Sequence, residues 1–139
     1  MSRAEPLQVA LLVLRVSLAA FFLVWSVEKI LAPELALRVF QTFYFSSPST
    51  EILIALGVLQ TAIVLAFLAG LFKTWTYGLL LAMHAVSTAS SWERLINPYE
   101  PPNHLFWAAI PVFGALLALF LLRRRDNLLT LSLRGARRR

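Results

Sequence analysis

Four polar side chains stand inside long apolar stretches of this sequence, and their chemistry makes them candidates for ligand binding: Arg15, Gln60, His84 and Ser87. Guanidinium, amide and hydroxyl groups donate hydrogen bonds to oxygen atoms of a ligand. A neutral imidazole can bond to a quinone carbonyl or transfer a proton near neutral pH. Ionisable groups inside a membrane are costly, so Arg15 and His84 each require a specific role.

Each candidate also has a structural interpretation. Arg15 would extend along its helix to the headgroups, or it would form a hydrogen bond inside the bundle. Gln60 would bond to a neighbouring helix. The third apolar stretch carries a polar face that would join helices by hydrogen bonds. That face consists of Tyr77, His84, Ser87, Thr88 and Ser91.

A second group of candidates consists of charges at the predicted outer ends of the apolar stretches: Glu28, Lys29, Glu51 and Glu93. They would either line the mouth of a pocket or form ion pairs that close the bundle, and interfacial ion pairs are commonly structural. In the first stretch, helical spacing places Gln8, Arg15, Ser26 and Lys29 on one stripe, which we expect to face the bundle interior.

Several chemistries do not fit the sequence. It contains no cysteine, which excludes disulfides and thiolate-bound metals. His84 and His104 are predicted at different depths, so a bis-histidine haem is not expected, and no other metal site is predicted. No phosphate-binding loop or zinc-protease motif occurs.

Composition defines the elements that must position these residues. Hydrophobic residues make up 59% of the 139 residues and charged residues 14%, which is too apolar for a small soluble domain. Four apolar stretches, at about 7–30, 52–72, 75–92 and 105–122, are each long enough to cross a bilayer. We therefore predict an all-α, four-helix transmembrane bundle that forms one domain over residues 1–139.

Local signals mark the ends and contacts of these stretches. Ser49 or Thr50 is a plausible N-cap of the second stretch, and Gly70 is a plausible stop. Pro111 should bend the fourth stretch, and Gly114 lies in a small-xxx-small pattern that permits close helix contact.

Basic residues in the short connections predict the orientation. With four spans, Arg3, Lys73 and the seven arginines from Arg123 onward share one side, against Lys29, Arg38 and Arg94 on the other. The positive-inside rule then places both termini in the cytoplasm, with 123–139 as a basic tail attracted to anionic lipid rather than to nucleic acid. Glu5 and Arg15 argue against a cleaved signal peptide. Residues 33–45 have an amphipathic pattern that predicts a short interfacial helix.

Three short patterns stand out in the apolar stretches: Leu14-Arg15, Phe22 through Glu28-Lys29-Ile30, and Gly57 through Gly70-Leu71 with Lys73. In these patterns the chain resembles the DoxX-like family of small four-helix bacterial membrane proteins, some of which are quinone-linked redox subunits. Where the family commonly has a glutamate in the second helix, this chain has Gln60. The resemblance implies that Arg15 has lost a carboxylate partner and keeps only an amide.

These observations lead to two hypotheses. In the first, the protein is an inner-membrane component of a redox system that binds quinone or another lipidic molecule among Arg15, Gln60 and His84; if it is an enzyme, it is a subunit of a quinone-linked oxidoreductase. In the second, it is a non-enzymatic accessory or assembly subunit of a larger membrane complex. The expected partners are the lipid bilayer, redox subunits or further copies of the chain.

Overall fold

The computed structural model describes residues 5–131, and all the regular structure in this range is helical, as predicted. In chain order the elements are α1 Pro6–Leu31, α2 Pro33–Phe43, α3 Thr50–Leu68, α4 Lys73–Ser90, α5 Trp92–Ile96, a 3₁₀ helix over Asn103–Ala108 and α6 Ala109–Leu121. Arg3 and the last four arginines of the predicted basic tail lie outside the described residues.

Three helical stretches are long and apolar enough to cross a membrane: Pro6–Leu31, Thr50–Leu68 and the continuous 3₁₀ and α segment Asn103–Leu121. They coincide with three of the four predicted spans and identify a helical membrane protein. The remaining predicted span, 75–92, is covered by α4. This helix is less apolar than the other three because it carries Lys73, His84 and several hydroxyl groups.

The ends of α3 follow from local sequence. The Ser49 hydroxyl caps the N-terminus by accepting a hydrogen bond from the Ile52 amide at 3.4 Å. At the other end, Gly70 has a φ of +70°. The Gly70 amide bonds to the Phe67 carbonyl and the Leu71 amide to the Ala66 carbonyl, both at 2.9 Å, which is a Schellman motif. The predicted start near Ser49 and the predicted stop at Gly70 are confirmed.

Helices α1 and α3 share the most extensive contact in the fold. A Cβ atom at Gly57 of α3 would lie 2.8 Å from the Ser26 carbonyl oxygen and 2.8 Å from Cγ1 of Ile30, so only glycine permits this approach. Apolar side chains from α1, α3, α4 and α6 complete the core: Leu11, Leu18, Phe22, Val64, Phe67, Tyr77, Leu80, Leu116 and Leu119.

Within the described residues, the two ends of the helical fold are built differently. At the "loop end", Phe43 of α2 contacts Phe106 with ring centroids 5.7 Å apart, and the Trp107 indole donates to the Leu95 carbonyl at 3.1 Å. At the "strap end", residues 123–131 turn back after α6 and lie against the start of α1 and the α3–α4 turn. We call this segment the C-terminal strap. The interfacial segment predicted at 33–45 is helical as α2, over 33–43.

Two expectations for the last span differ from the structure. Pro111 was expected to bend a continuous helix, but the chain is 3₁₀ up to Ala108 and α6 begins only two residues before the proline. Proline fits in a first helical turn, where its missing N–H is not required. Gly114 was expected to allow close helix contact. No atom lies within 4 Å of a Cβ built there, so this glycine faces open space.

Candidate functional site

The main polar site lies at the strap end and is centred on Arg15. The helical stripe of α1 turns Arg15 inward with Leu11, Phe22 and Ser26, and its side chain is fully buried. Its Nη1 atom lies 2.9 Å from Oδ1 of Asp126, which is also fully buried. This is the single ion pair within residues 5–131. A buried guanidinium is tolerated only when such a partner neutralises it.

Tyr77 of α4 completes the coordination of this carboxylate. Its hydroxyl donates to the second oxygen, Oδ2 of Asp126, at 2.7 Å, and its ring packs on Phe67 with centroids 4.8 Å apart. Arg15 therefore holds one carboxylate oxygen and Tyr77 the other. Hydrogen bonds to a charged acceptor are stronger than those between neutral groups, and the burial of Asp126 strengthens them further.

The C-terminal strap is held to the bundle mainly through polar contacts. Arg15 Nη2 donates to the carbonyls of Leu128 at 2.6 Å and Leu129 at 3.2 Å. Leu129 has a φ of +51°, a left-handed conformation that costs a non-glycine residue roughly 1–2 kcal/mol and is offset by these bonds. At the end of the strap, the Leu131 amide donates to the Ala69 carbonyl at 2.8 Å.

Two further side chains fasten the strap from the sides. Gln8 donates to the Arg125 carbonyl and accepts from the Asn127 amide at 3.0 Å. The Lys73 ammonium donates to the Asp126 carbonyl and, at 3.1 Å, to Oδ1 of Asn127. Lys73 precedes the predicted span 75–92. Partial burial lowers the pKa of its ammonium group, against the opposing effect of the Asp126 carboxylate.

These contacts correct the expectations for Arg15. The side chain is fully enclosed by the described residues, and it has not lost its carboxylate partner, because Asp126 supplies one. Sequence reasoning missed Asp126 because it stands within a basic segment interpreted as a solvated tail. The available signal was that Asp126 is the one acidic residue after α6.

His84 occupies a separate position in the core. Its Nε2 atom lies 2.9 Å from the Ala109 carbonyl oxygen, at the junction between the 3₁₀ helix and α6. The rings of Phe21 and Phe22 meet the imidazole edge to face, at centroid distances of 5.8 and 6.2 Å. The contact to a carbonyl requires Nε2 to carry the proton. His84 thus joins α4 to α6, as in the structural interpretation.

The other two predicted ligand groups do not join Arg15 or His84 in one site. Gln60 is 9% exposed on α3, and its amide makes no hydrogen bond to any described residue. Ser87 is exposed, although it was expected to face the interior. It is rotated about 60° from His84 around the helix axis, whereas Ser91 is offset by only about 20° and is buried.

The predicted outer-mouth charges do not form an ion-paired cluster in the described part of the chain. Glu51 and Glu93 are exposed and Glu28 is partly buried. Lys29 donates to the Trp25 carbonyl of its own helix at 2.9 Å. Of these four, only Glu93 lines the small cavity at the loop end, which has a volume of about 70 Å³ and includes Arg94 and Phe43.

A larger opening lies between α3 and α4. It is a shallow, almost wholly apolar groove of about 380 Å³, lined by Ala62, Ile63, Ala66, Phe72, Trp75, Thr76 and Leu79. The Thr76 hydroxyl already donates to the Leu71 carbonyl at 2.9 Å. The groove therefore suits an aliphatic chain or an apolar helix better than a polar headgroup.

The chain matches no protein-family model, no curated protein and no solved structure. Within the described residues, Arg15 and Tyr77 join α1 and α4 to the C-terminal strap, and His84 joins α4 to α6 at a separate position.

Proposed function

We propose that the protein is a non-enzymatic accessory subunit of a larger membrane assembly, with α4 as a fourth span beside the three more apolar ones. In this arrangement α1, α3, α4 and the 3₁₀–α6 segment form a four-helix transmembrane bundle. The strap end faces the cytoplasm because Lys73 and the arginines of the strap lie there. The membrane is a bacterial inner membrane, in keeping with the resemblance to DoxX-like proteins.

The observation that supports the accessory role is that buried polar side chains already bond to other residues of the chain. Arg15 and Tyr77 are occupied by Asp126, and His84 by the Ala109 carbonyl. Two of the four candidate ligand-binding residues, Arg15 and His84, thus already have partners in the chain. The open surface is instead the apolar groove between α3 and α4, and in a bilayer such a surface packs against a partner helix through van der Waals contact.

Groove-filling substitutions test the accessory role. The native complex would be purified in mild detergent and its subunits identified by native mass spectrometry, first for the wild type. Ala66→Trp places an indole in the groove and is expected to abolish co-purification of the partner subunit. Ala55→Trp on the exposed side of α3, outside the groove, is the matched control and is expected to retain it. A wild-type chain that purifies alone, or equal binding by both variants, would contradict the proposal.

A second candidate function is quinone or lipid binding within a membrane redox system, which rests on the resemblance to DoxX-like proteins. Gln60 favours it, because a nearly buried amide without a partner among the described residues is free to bond to a quinone carbonyl. Solvent extraction of the purified protein would reveal the quinone. Gln60→Leu should remove it, because leucine has a similar size but no donor, and Gln60→Glu separates loss of the amide donor from loss of polarity. Extracts without quinone would reject this candidate.

A further inference from the structure

Two donors from different helices converge on one carboxylate at the strap end. Arg15 Nη1 donates a hydrogen bond to Oδ1 of Asp126 at 2.9 Å, and the Tyr77 hydroxyl donates one to Oδ2 at 2.7 Å. Both donors belong to long helices that are fixed by the core, whereas the acceptor belongs to a segment without regular secondary structure. The backbone positions of both donors are therefore fixed independently of the residue that they bind.

The strap itself contributes little apolar burial. Within residues 123–131, Asp126 alone is buried, while Arg124, Arg125, Asn127 and Leu129 are exposed. Thr130 of the strap packs against Gly70. Most of the strap's remaining contacts are hydrogen bonds that involve backbone groups. A segment attached in this way opens more readily than the helices beneath it.

The site also offers more donors than Asp126 uses. Arg15 Nε is buried and has no acceptor within the described residues. A buried N–H group without a partner is costly, so this donor marks capacity for a further oxygen atom. This observation is independent of the contacts made by Asp126.

We propose that Arg15 and Tyr77 form a binding site for a carboxylate group, and that Asp126 occupies this site as a tethered ligand that docks the C-terminal strap. The ligand class is a small carboxylate anion, because two donors engage its two oxygens separately. The strap closes the site in the resting protein, and a free carboxylate competes with Asp126 for it. This inference does not rest on the accessory role proposed above.

The first test removes the tethered ligand. Full-length Asp126→Ala protein in detergent would be heated in sodium formate and in sodium chloride of equal ionic strength. Formate should raise the Tm of this variant by about 5 °C at about ten times its dissociation constant, with no comparable shift in the wild type. In Asp126→Ala combined with Tyr77→Phe, the shift should shrink. Equal effects of formate and chloride would overturn the proposal.

The second test keeps Asp126 and works even if the alanine variant fails to fold. Because the chain has no cysteine, Thr130→Cys places a single thiol in the strap. Formate should accelerate maleimide labelling of this thiol severalfold over chloride, because it displaces Asp126. Leu131→Cys is exposed in the docked strap and serves as a control, since its rate should change little. An unchanged labelling rate for the Thr130→Cys variant would show that no carboxylate competes for the site.

Discussion

The two ends of the molecule bring their helices together by different means. At the strap end, α1, α4 and the C-terminal strap meet through a buried network of Arg15, Asp126 and Tyr77. At the loop end, α1 and α3 meet through close backbone approach at Gly57, and the nearby charges of Glu51 and Glu93 face outward. Charge is therefore structural where it is enclosed and incidental where it is exposed.

The largest expected effect comes from breaking the enclosed pair. Arg15→Met or Asp126→Leu alone should lower the free energy of unfolding by about 3–5 kcal/mol, because each leaves an uncompensated buried charge. The double variant should recover most of this loss, since no charge then remains to be desolvated. Chemical denaturation in detergent micelles measures all three. Losses that simply add in the double variant would show that the two side chains act separately.

Tyr77→Phe tests the hydrogen bond from the Tyr77 hydroxyl to the Asp126 carboxylate. It removes one hydrogen bond to a charged acceptor and leaves the ring on Phe67, so we expect a loss of about 1.5–3 kcal/mol in the free energy of unfolding. Tyr99→Phe is the matched control, because Tyr99 is 95% exposed and should change nothing. Equal stability of the two variants would remove Tyr77 from the network.

Gly57→Ala tests the close approach of α1 and α3 at the loop end. The added methyl group would meet the Ser26 carbonyl and Ile30 Cγ1 at 2.8 Å, so α1 and α3 must separate, at a cost of about 1–3 kcal/mol in the free energy of unfolding. Gly114→Ala is the control, since its methyl group meets open space and better helix propensity should add about 0.5–1 kcal/mol. Equal changes in stability for the two variants would show that Gly57 makes no closer helix contact than Gly114.

The same comparison explains what the sequence could predict. Hydrophobic stretches and capping residues are local signals, so the helices, the Ser49 cap and the Gly70 stop follow from neighbouring residues. The inward stripe through Arg15 also follows from helical periodicity. Its partner Asp126 does not, because the strap has no periodicity and pairs over 111 positions of chain. The prediction that Ser87 faces the interior was wrong, because a spacing of three residues defines a helical face only to within about 60°.

The smallest effects are expected at the exposed charges of the loop end. Glu51→Gln and Glu93→Gln each remove a carboxylate that forms no ion pair with any described residue. Solvated charges of this kind contribute little to stability and are screened by salt. Denaturation midpoints should therefore match the wild type at low and high ionic strength. If Glu93→Gln instead shifts the midpoint at low salt only, the charge interacts across the small cavity with Arg94, which lines the same cavity. The loop end would then depend on electrostatics as well, and the contrast between the two ends would become one of degree.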